Sequence, residues 1–254
     1  MKRFFVDAAQ IEENQIRILG SDVNHIKNVL RMKPGDTLWI SDKEKKEYNC
    51  YIEEFLEEEI LLHIVYMQES DFELPSRLYL FQSLPKGDKM EFIIQKAVEL
   101  GVYEIIPVAT SRCVVKLDEK KAAKKQQRWQ QIAESAAKQS KRILVPRVAP
   151  VCSYQEALAY AQGCQVKLIP YELEKDMART SALLHGIRPG MDAAIFIGPE
   201  GGYSEEEIRL AMDQQVQPIT LGKRILRTET AGLAVLSVLM FGLEEKMCQE
   251  ESGE

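Results

Sequence analysis

Two glycine-containing segments near the C-terminus carry the residue types best suited to holding a small ligand. The first runs Ile195-Phe196-Ile197-Gly198-Pro199-Glu200-Gly201-Gly202-Tyr203-Ser204-Glu205-Glu206-Glu207-Ile208. An apolar strand enters a loop with three glycines and a proline, and Ser204 with Glu207 has the spacing of a capping box that opens a helix. Glycine permits positive φ and lets a ligand rest against bare backbone. In open α/β sheets the region beyond the C-terminal ends of strands is where ligands bind. Phosphate is a poor match, because G-x-G-x-x-G and G-x-x-x-x-G-K-[ST] are both missing and three glutamates follow. A neutral or cationic ligand suits the loop better, and a purely structural turn is the competing reading.

The second segment is Ile219-Thr220-Leu221-Gly222-Lys223-Arg224-Ile225-Leu226-Arg227-Thr228-Glu229-Thr230-Ala231-Gly232. A short strand again ends in glycine, and a helix follows with Thr228 as its expected cap. The helix over 228–243 is apolar nearly all round and rich in small residues (Ala231, Gly232, Ala234, Ser237), which predicts burial with a close neighbour. Arg227 and Glu229 at its mouth need partners, either each other as an internal ion pair or a ligand.

The elements that position these loops follow a rhythm that changes once along the chain. Residues up to about 70 hold short strand-like runs (RFFV, QIRIL, DTLWIS, YNCYIEEF, EEILLHIVYM), a turn at Pro34-Gly35-Asp36 and one helix over Ser21–Arg31 capped by Ser21 or Asp22. The polar stretch Glu69 to Pro75 marks a boundary. Beyond it, strands alternate with helices, as in βαβ units. RLYLFQSL leads through Pro85-Lys86-Gly87 into a helix whose Met90, Ile93, Ile94, Ala97 and Val98 recur at helical spacing. Asp88 and Glu91 resemble its capping pair, and Gly101 suits its left-handed end. VYEIIPVA, RILVPRV, VKLIPYE, AAIFIG and PITLG read as further strands, with helices at 119–140 and after Ser153, where Glu156 completes a capping box. The continuous runs IIPVA and AAIFIG fit strands covered on both faces of a mostly parallel sheet.

Composition (45% hydrophobic, 28% charged) is that of a soluble globular protein. The five cysteines form no C-x-x-C pair and the three histidines are far apart, which argues for a reducing, cytoplasmic setting and against a metal site. The net charge of −6 is unevenly spread: residues 244–254 carry −4, whereas residues 112–147 carry +8. The latter reads as a phosphate-facing patch or as a solvated helix face.

GPEGGYSEEEI followed by ITLGKRILRTETAGLAVLSVL resembles the C-terminal motifs of the RsmE family, the 16S rRNA uridine-N3 methyltransferases of the SPOUT superfamily. Matching motifs run through most of the chain: His25 to Asp36, Phe92 to Val102, Ser111 to Lys116 and Trp129 to Arg142. Two positions depart from the pattern, Lys138 where an acid is common and Gly232 where Thr or Ala is usual.

The resemblance implies an α/β protein: a smaller N-terminal PUA-like β-barrel domain (1–72) for RNA, a SPOUT domain with a trefoil-knotted, mostly parallel sheet (73–245), and an acidic tail (246–254) without order. It implies S-adenosyl-L-methionine as cofactor, held by three segments: the turn at Leu84 and Pro85; the loop with Ile197, Gly198, Pro199, Glu200, Gly201 and Gly202; and the loop with Leu221, Gly222, Ile225, Leu226, Arg227, Thr228, Glu229 and Ala231. It further implies a cytoplasmic homodimer acting on 16S rRNA in the small ribosomal subunit, with no metal and no membrane. Arg112 or Arg142 is expected to stabilise charge developing on the uracil, and Gln139 to hydrogen-bond the base. Lys116, Lys120, Lys121, Lys124, Lys125, Arg128 and Arg142 are expected on rRNA phosphates, with His25 and Arg31 contributing from the first domain. Glu229 is a candidate base, a partner for Arg227, or a cofactor contact. Methylation of another RNA position, or RNA binding without catalysis in ribosome assembly, are the alternatives. A Rossmann-type nucleotide enzyme is disfavoured by the missing fingerprint.

Overall fold

The computed structural model describes residues 2–43, 46–69 and 72–252, with side chains through 249. Ser70 and Asp71 of the expected boundary stretch, and the last two residues of the acidic tail, lie outside the described residues. The chain divides into two compact units, one formed by 1–73 with 137–145, the other by 74–136 with 146–254.

The first unit is built on six strands: β1 (Arg3–Phe5), β2 (Ile11–Glu12), β3 (Gln15–Leu19), β4 (Thr37–Ser41), β5 (Lys46–Phe55) and β6 (Glu59–Glu69). They lie in the order β1-β4-β5-β6-β3-β2, with β1 parallel to β4 and the other pairs antiparallel. Alternation sets the core: Ile16 and Ile18 of β3 face inward while Arg17 faces out, and Leu38, Ile40, Ile52, Ile60 and Leu62 complete the cluster. The expected helix after β3 is a short one, α1 (Ser21–Asn24), followed by a π-helical turn over His25–Val29. Its cap is Gly20 at positive φ rather than a side chain of Ser21 or Asp22.

The residues contributed from 137–145 are tied to this unit by polar bonds. The Glu73 carboxylate accepts from Arg142 Nε (3.1 and 3.2 Å to its two oxygens), from Arg142 Nη2, and from the backbone N–H groups of Ile143 and Leu144 (3.1 Å each). Ser41 Oγ donates to the Ile143 carbonyl at 2.7 Å, and Lys138 pairs with Asp22 at 2.8 Å.

The second unit is a seven-stranded, wholly parallel sheet. Its strands are β7 (Leu78–Ser83), β8 (Glu104–Ala109), β9 (Arg147–Val148), β10 (Cys152–Ser153), β11 (Val166–Pro170), β12 (Ala193–Ile197) and β13 (Gln217–Ile219). They run β10-β8-β7-β12-β11-β13, with β9 also paired to β8. Every residue of β12 is buried, as the continuous run predicts, and Phe81 stacks on Phe196 at 4.4 Å across the β7–β12 pair. RILVPRV contributes only two residues to the sheet, because the chain pairs with β8 only after Pro146.

Helix α2 (Lys89–Glu99) buries Met90, Ile93, Ile94, Ala97 and Val98, the spaced apolar set, and Gly101 beyond it takes φ +83°. Asp88 makes no side-chain cap, contrary to the expected capping pair. Helices α3 (Glu119–Gln139) and α4 (Tyr154–Tyr160) occur where the spacing places them, α4 with its Ser153–Glu156 box formed. Helix α5 (Met177–His185), capped by Asp176, has no counterpart in the sequence reading. Helix α6 (Glu205–Asp213) starts at the Ser204–Glu207 box. Helix α7 (Thr228–Ser252) runs nine residues past its expected end at 243, so the acidic stretch through Ser252 is helical rather than without order. Nor is α7 buried all round, since Phe241 is 68% and Val238 48% exposed.

Gly232 offers a stability test. A methyl group there would meet Ile197 Cγ1 at 3.4 Å and Leu80 Cδ1 at 3.5 Å, ordinary contact distances. Gly232→Ala is therefore expected to stabilise α7 by about 1 kcal/mol, the helix-interior difference between the two residues. Urea denaturation checks this; a lowered midpoint would mean that the packed neighbours do not admit the methyl.

Candidate ligand site of the parallel sheet

Because β7, β12 and β13 are parallel, their C-terminal ends open on one edge. Three connections leave from that edge: the turn 84–88, the loop 198–203 and the loop 220–227. Leu84, Pro85, Gly198–Gly202 and Leu221–Arg227 therefore come together in one unit, although the first is more than a hundred residues from the others. Gly202 (φ +64°) and Gly222 (φ +98°) adopt the left-handed region that their loops require.

The loops are held by side chains rather than by sheet pairing. Thr228 Oγ1 donates to the Gly198 carbonyl at 2.6 Å and accepts from Gln82 Nε2 at 3.0 Å. The hydroxyl expected to cap α7 instead joins β7, the first loop and the helix start. Glu200 Oε1 accepts from the Lys86 N–H at 3.1 Å and from Lys89 Nζ at 2.8 Å. Burial raises the Glu200 carboxyl pKa, but these donors outweigh it and hold the group below its ordinary range. Arg112 Nη1 donates to the Gly201 carbonyl at 3.0 Å. The capping-box residue Glu207 also accepts from the Ser111 N–H at 2.8 Å, so the turn bearing Arg112 is fixed to the start of α6. Tyr203, buried beneath the first loop, keeps its phenol well above the usual pKa through desolvation.

Glu229 pairs with Arg227 only at long range and lies nearer to Lys89. The Arg227 side chain is 81% exposed and its nearest nitrogen lies 4.0 Å away, whereas Lys89 Nζ lies 3.5 Å from Glu229 Oε2. That oxygen is buried and has no hydrogen-bond partner among the described residues. Bare glycine backbone thus lies beside two carboxylates, Glu200 and Glu229, with the cations Lys89, Arg112 and Arg227 set among the same loops.

The expected RNA-facing residues divide between the units. Lys116, Lys120, Lys121, Lys124 and Arg128 are exposed in the second unit, while His25 and Arg31 are exposed in the first. Two of the cations are already engaged: Lys121 pairs with Asp118, and Arg128 holds Glu91 through two N–H groups, which draws the Glu91 carboxyl below its ordinary pKa. Lys125 lies over the Trp129 ring at 5.8 Å. Of the three residues expected at the chemistry, Arg112 lies with the loops. Gln139 is exposed in the first unit, and Arg142 is buried there on Glu73. The Arg142 side chain, expected at the chemistry and on phosphates, is 6% exposed and paired with the Glu73 carboxylate inside the first unit. Glu73 and Lys89 were not singled out from sequence. For Lys89 a signal existed, a cation at the first residue of a helix, where the macrodipole disfavours it.

Comparison with known proteins agrees with this architecture. Residues 72–240 match the RNA methyltransferase domain family, and residues 18–64 match the RNA methyltransferase PUA domain. The ribosomal RNA small subunit methyltransferase E of Bacillus subtilis (strain 168) is 39% identical over 250 residues, covering 96% of this chain and 98% of the relative. The same-named enzyme of Neisseria gonorrhoeae, solved bound to S-adenosyl methionine, superposes with a TM-score of 0.81 at 34% identity, covering 95% and 97% of the two chains. A Legionella pneumophila methyltransferase solved with the same cofactor gives 0.84 at 33% identity, covering 94% and 96%. Fold and site thus define an RNA methyltransferase that carries a PUA-type domain. The chain belongs to the ribosomal RNA small subunit methyltransferase E family.

Proposed function

We propose that this protein transfers a methyl group from S-adenosylmethionine to N3 of a uridine in 16S rRNA, acting in the cytoplasm as a homodimer on the small ribosomal subunit. The observation that carries this reading is the convergence of the two glycine loops and the Leu84-Pro85 turn at the C-terminal edge of the parallel sheet, in a chain of this family. The bound donor supplies a methyl already activated by the sulfonium. The chain's own residues then have three tasks: to orient the base, to stabilise the charge left when N3 loses its proton, and to exclude water. Positioning alone supplies up to about 7–11 kcal/mol in ideal cases. Arg112, anchored on the Gly201 carbonyl, is the cation assigned to the developing charge, and Gln139 is assigned to the uracil edge. The knot expected from family resemblance belongs to the same reading. So does the dimer, for which the exposed Phe241 and Val238 of α7, beside a groove of about 360 Å³ shared with α5, offer a face.

The test is methyl transfer from labelled donor to assembled small subunits and to naked 16S rRNA, with the product mapped by mass spectrometry. Assembled subunits are expected to be methylated at a single uridine N3, and label on another position would redirect the assignment. If Lys116, Lys120 and Lys124 meet phosphates, RNA affinity should fall by roughly 0.7–0.9 log units per contact for each tenfold rise in salt. A flat salt response would remove the basic segment from the interface.

A further inference from the structure

Lys89 stands where the three pocket segments meet. Its ammonium donates to Glu200 Oε1 at 2.8 Å and lies 3.5 Å from Glu229 Oε2, while the same Glu200 oxygen accepts from the Lys86 N–H at 3.1 Å. One ammonium therefore links the 84–88 turn, the 198–203 loop and the start of α7. Helix stability does not account for a lysine here. It is the first residue of α2, at the positive end of the helix dipole, and Asp88 before it contributes no side-chain cap. Nor do the pairs resemble the freely exposed ion pairs of a protein surface: the side chains of Lys89, Glu200 and Glu229 are 33%, 27% and 17% exposed. The arrangement is also asymmetric. Glu200 takes a full hydrogen bond, whereas Glu229 keeps a buried oxygen with no hydrogen-bond partner among the described residues.

We infer that Lys89 is a positioning residue for the methyl donor: it links Glu200 and Glu229, so that the loop and the start of α7 keep one spacing around the donor. This rests on the reading that these loops hold S-adenosylmethionine. Lys89 touches neither reacting atom, and its effect passes through the two carboxylates it holds. Conservative replacement by arginine preserves the charge and the reach to both acceptors, whereas methionine preserves only the packing of the stem.

Calorimetric titration of the full chain with S-adenosylmethionine tests the inference, alongside thermal unfolding without ligand. Lys89→Met is expected to weaken donor binding by about tenfold or more, and Lys89→Arg by no more than about threefold. The ligand-free melting temperature of Lys89→Met should stay within about 4 °C of the wild type. In a Glu229→Gln background the effect of Lys89→Met should shrink, because the two residues act on one contact. Should Lys89→Met fail to fold, Glu200→Gln carries the same test by removing the hydrogen-bonded acceptor, with weaker donor binding again expected. Unchanged affinity in the variant that folds, or an arginine variant as weak as the methionine one, overturns the inference. A wild-type chain that binds no S-adenosylmethionine defeats the proposed function itself, a result distinct from equal binding by wild type and variant.

Discussion

Glu73→Ala is expected to destabilise the first unit by about 3–5 kcal/mol, the range found when one member of a buried ion pair is removed. The Arg142 side chain is 6% exposed and its guanidinium is bonded to the Glu73 carboxylate through Nε and Nη2. The same carboxylate accepts from two successive backbone N–H groups, those of Ile143 and Leu144. Removing it withdraws the acceptor from a buried cation and from two amides at once, and each unmade buried hydrogen bond costs about 1–3 kcal/mol. Glu73→Gln keeps one acceptor oxygen and the side-chain shape, so it should lose distinctly less. Urea denaturation followed by fluorescence measures both. The outcome also decides between two roles for Arg142. A structural cation predicts that Arg142→Ala lowers the unfolding free energy as Glu73→Ala does. A reagent at the transition state predicts normal stability with slow turnover. Loss of less than about 1 kcal/mol in both alanine variants would sink the structural assignment.

The difference between what was legible in the sequence and what was not follows the range of the interactions. Capping boxes at Ser153–Glu156 and Ser204–Glu207 are local, three residues long, and both form as the spacing predicts. The apolar spacing of α2 and the continuous run of β12 are equally local, and each falls where the pattern puts it. The two loops are legible as strand-to-helix turns because their glycines, and the capping box after the first, are neighbours in sequence. By contrast, the bond between Glu73 and the 142–144 segment spans some seventy residues, and no local pattern can express it. Arg142, at the end of the Trp129 to Arg142 match, therefore carries no local sign of its Glu73 partner. Thr228 has the residue type of a cap, yet its hydroxyl is taken by Gly198 from another loop, a competition visible only in three dimensions. The acidic stretch after Leu243 was assigned by charge. Its Lys246 donates to the carbonyls of His185, the last residue of α5, and of Ile187 just after it; α5 is too short and weakly patterned to stand out, and this contact helps fix α7 past its expected end.

Arg112→Ala is expected to lower kcat for rRNA methylation by about 10²–10³-fold, the loss typical of removing one preorganised donor from developing negative charge. Uracil N3 must give up its proton, and the resulting charge spreads onto the flanking carbonyl oxygens. A cation close to those oxygens in a site screened from water lowers that barrier only if it is already in place, since moving a flexible side chain during reaction would forfeit the gain. Arg112 is exposed but braced within its own unit. Its backbone turn is pinned by the Ser111 N–H to Glu207 bond, and its Nη1 is spent on the Gly201 carbonyl at 3.0 Å. The guanidinium has five N–H donors, so others remain for the substrate. Arg112→Lys keeps the charge but loses the planar fork, and it should recover only part of the rate. The competing role is phosphate binding, which makes the opposite kinetic prediction: KM for RNA rises, the salt dependence flattens, and kcat holds. Because Arg112 also braces the first loop, calorimetric affinity for S-adenosylmethionine must be measured on the same variant. A kcat loss with donor affinity nearly unchanged assigns Arg112 to the reacting base. A rate loss that tracks weakened donor binding would make Arg112 a brace for the loop, and the developing charge would then need another cation.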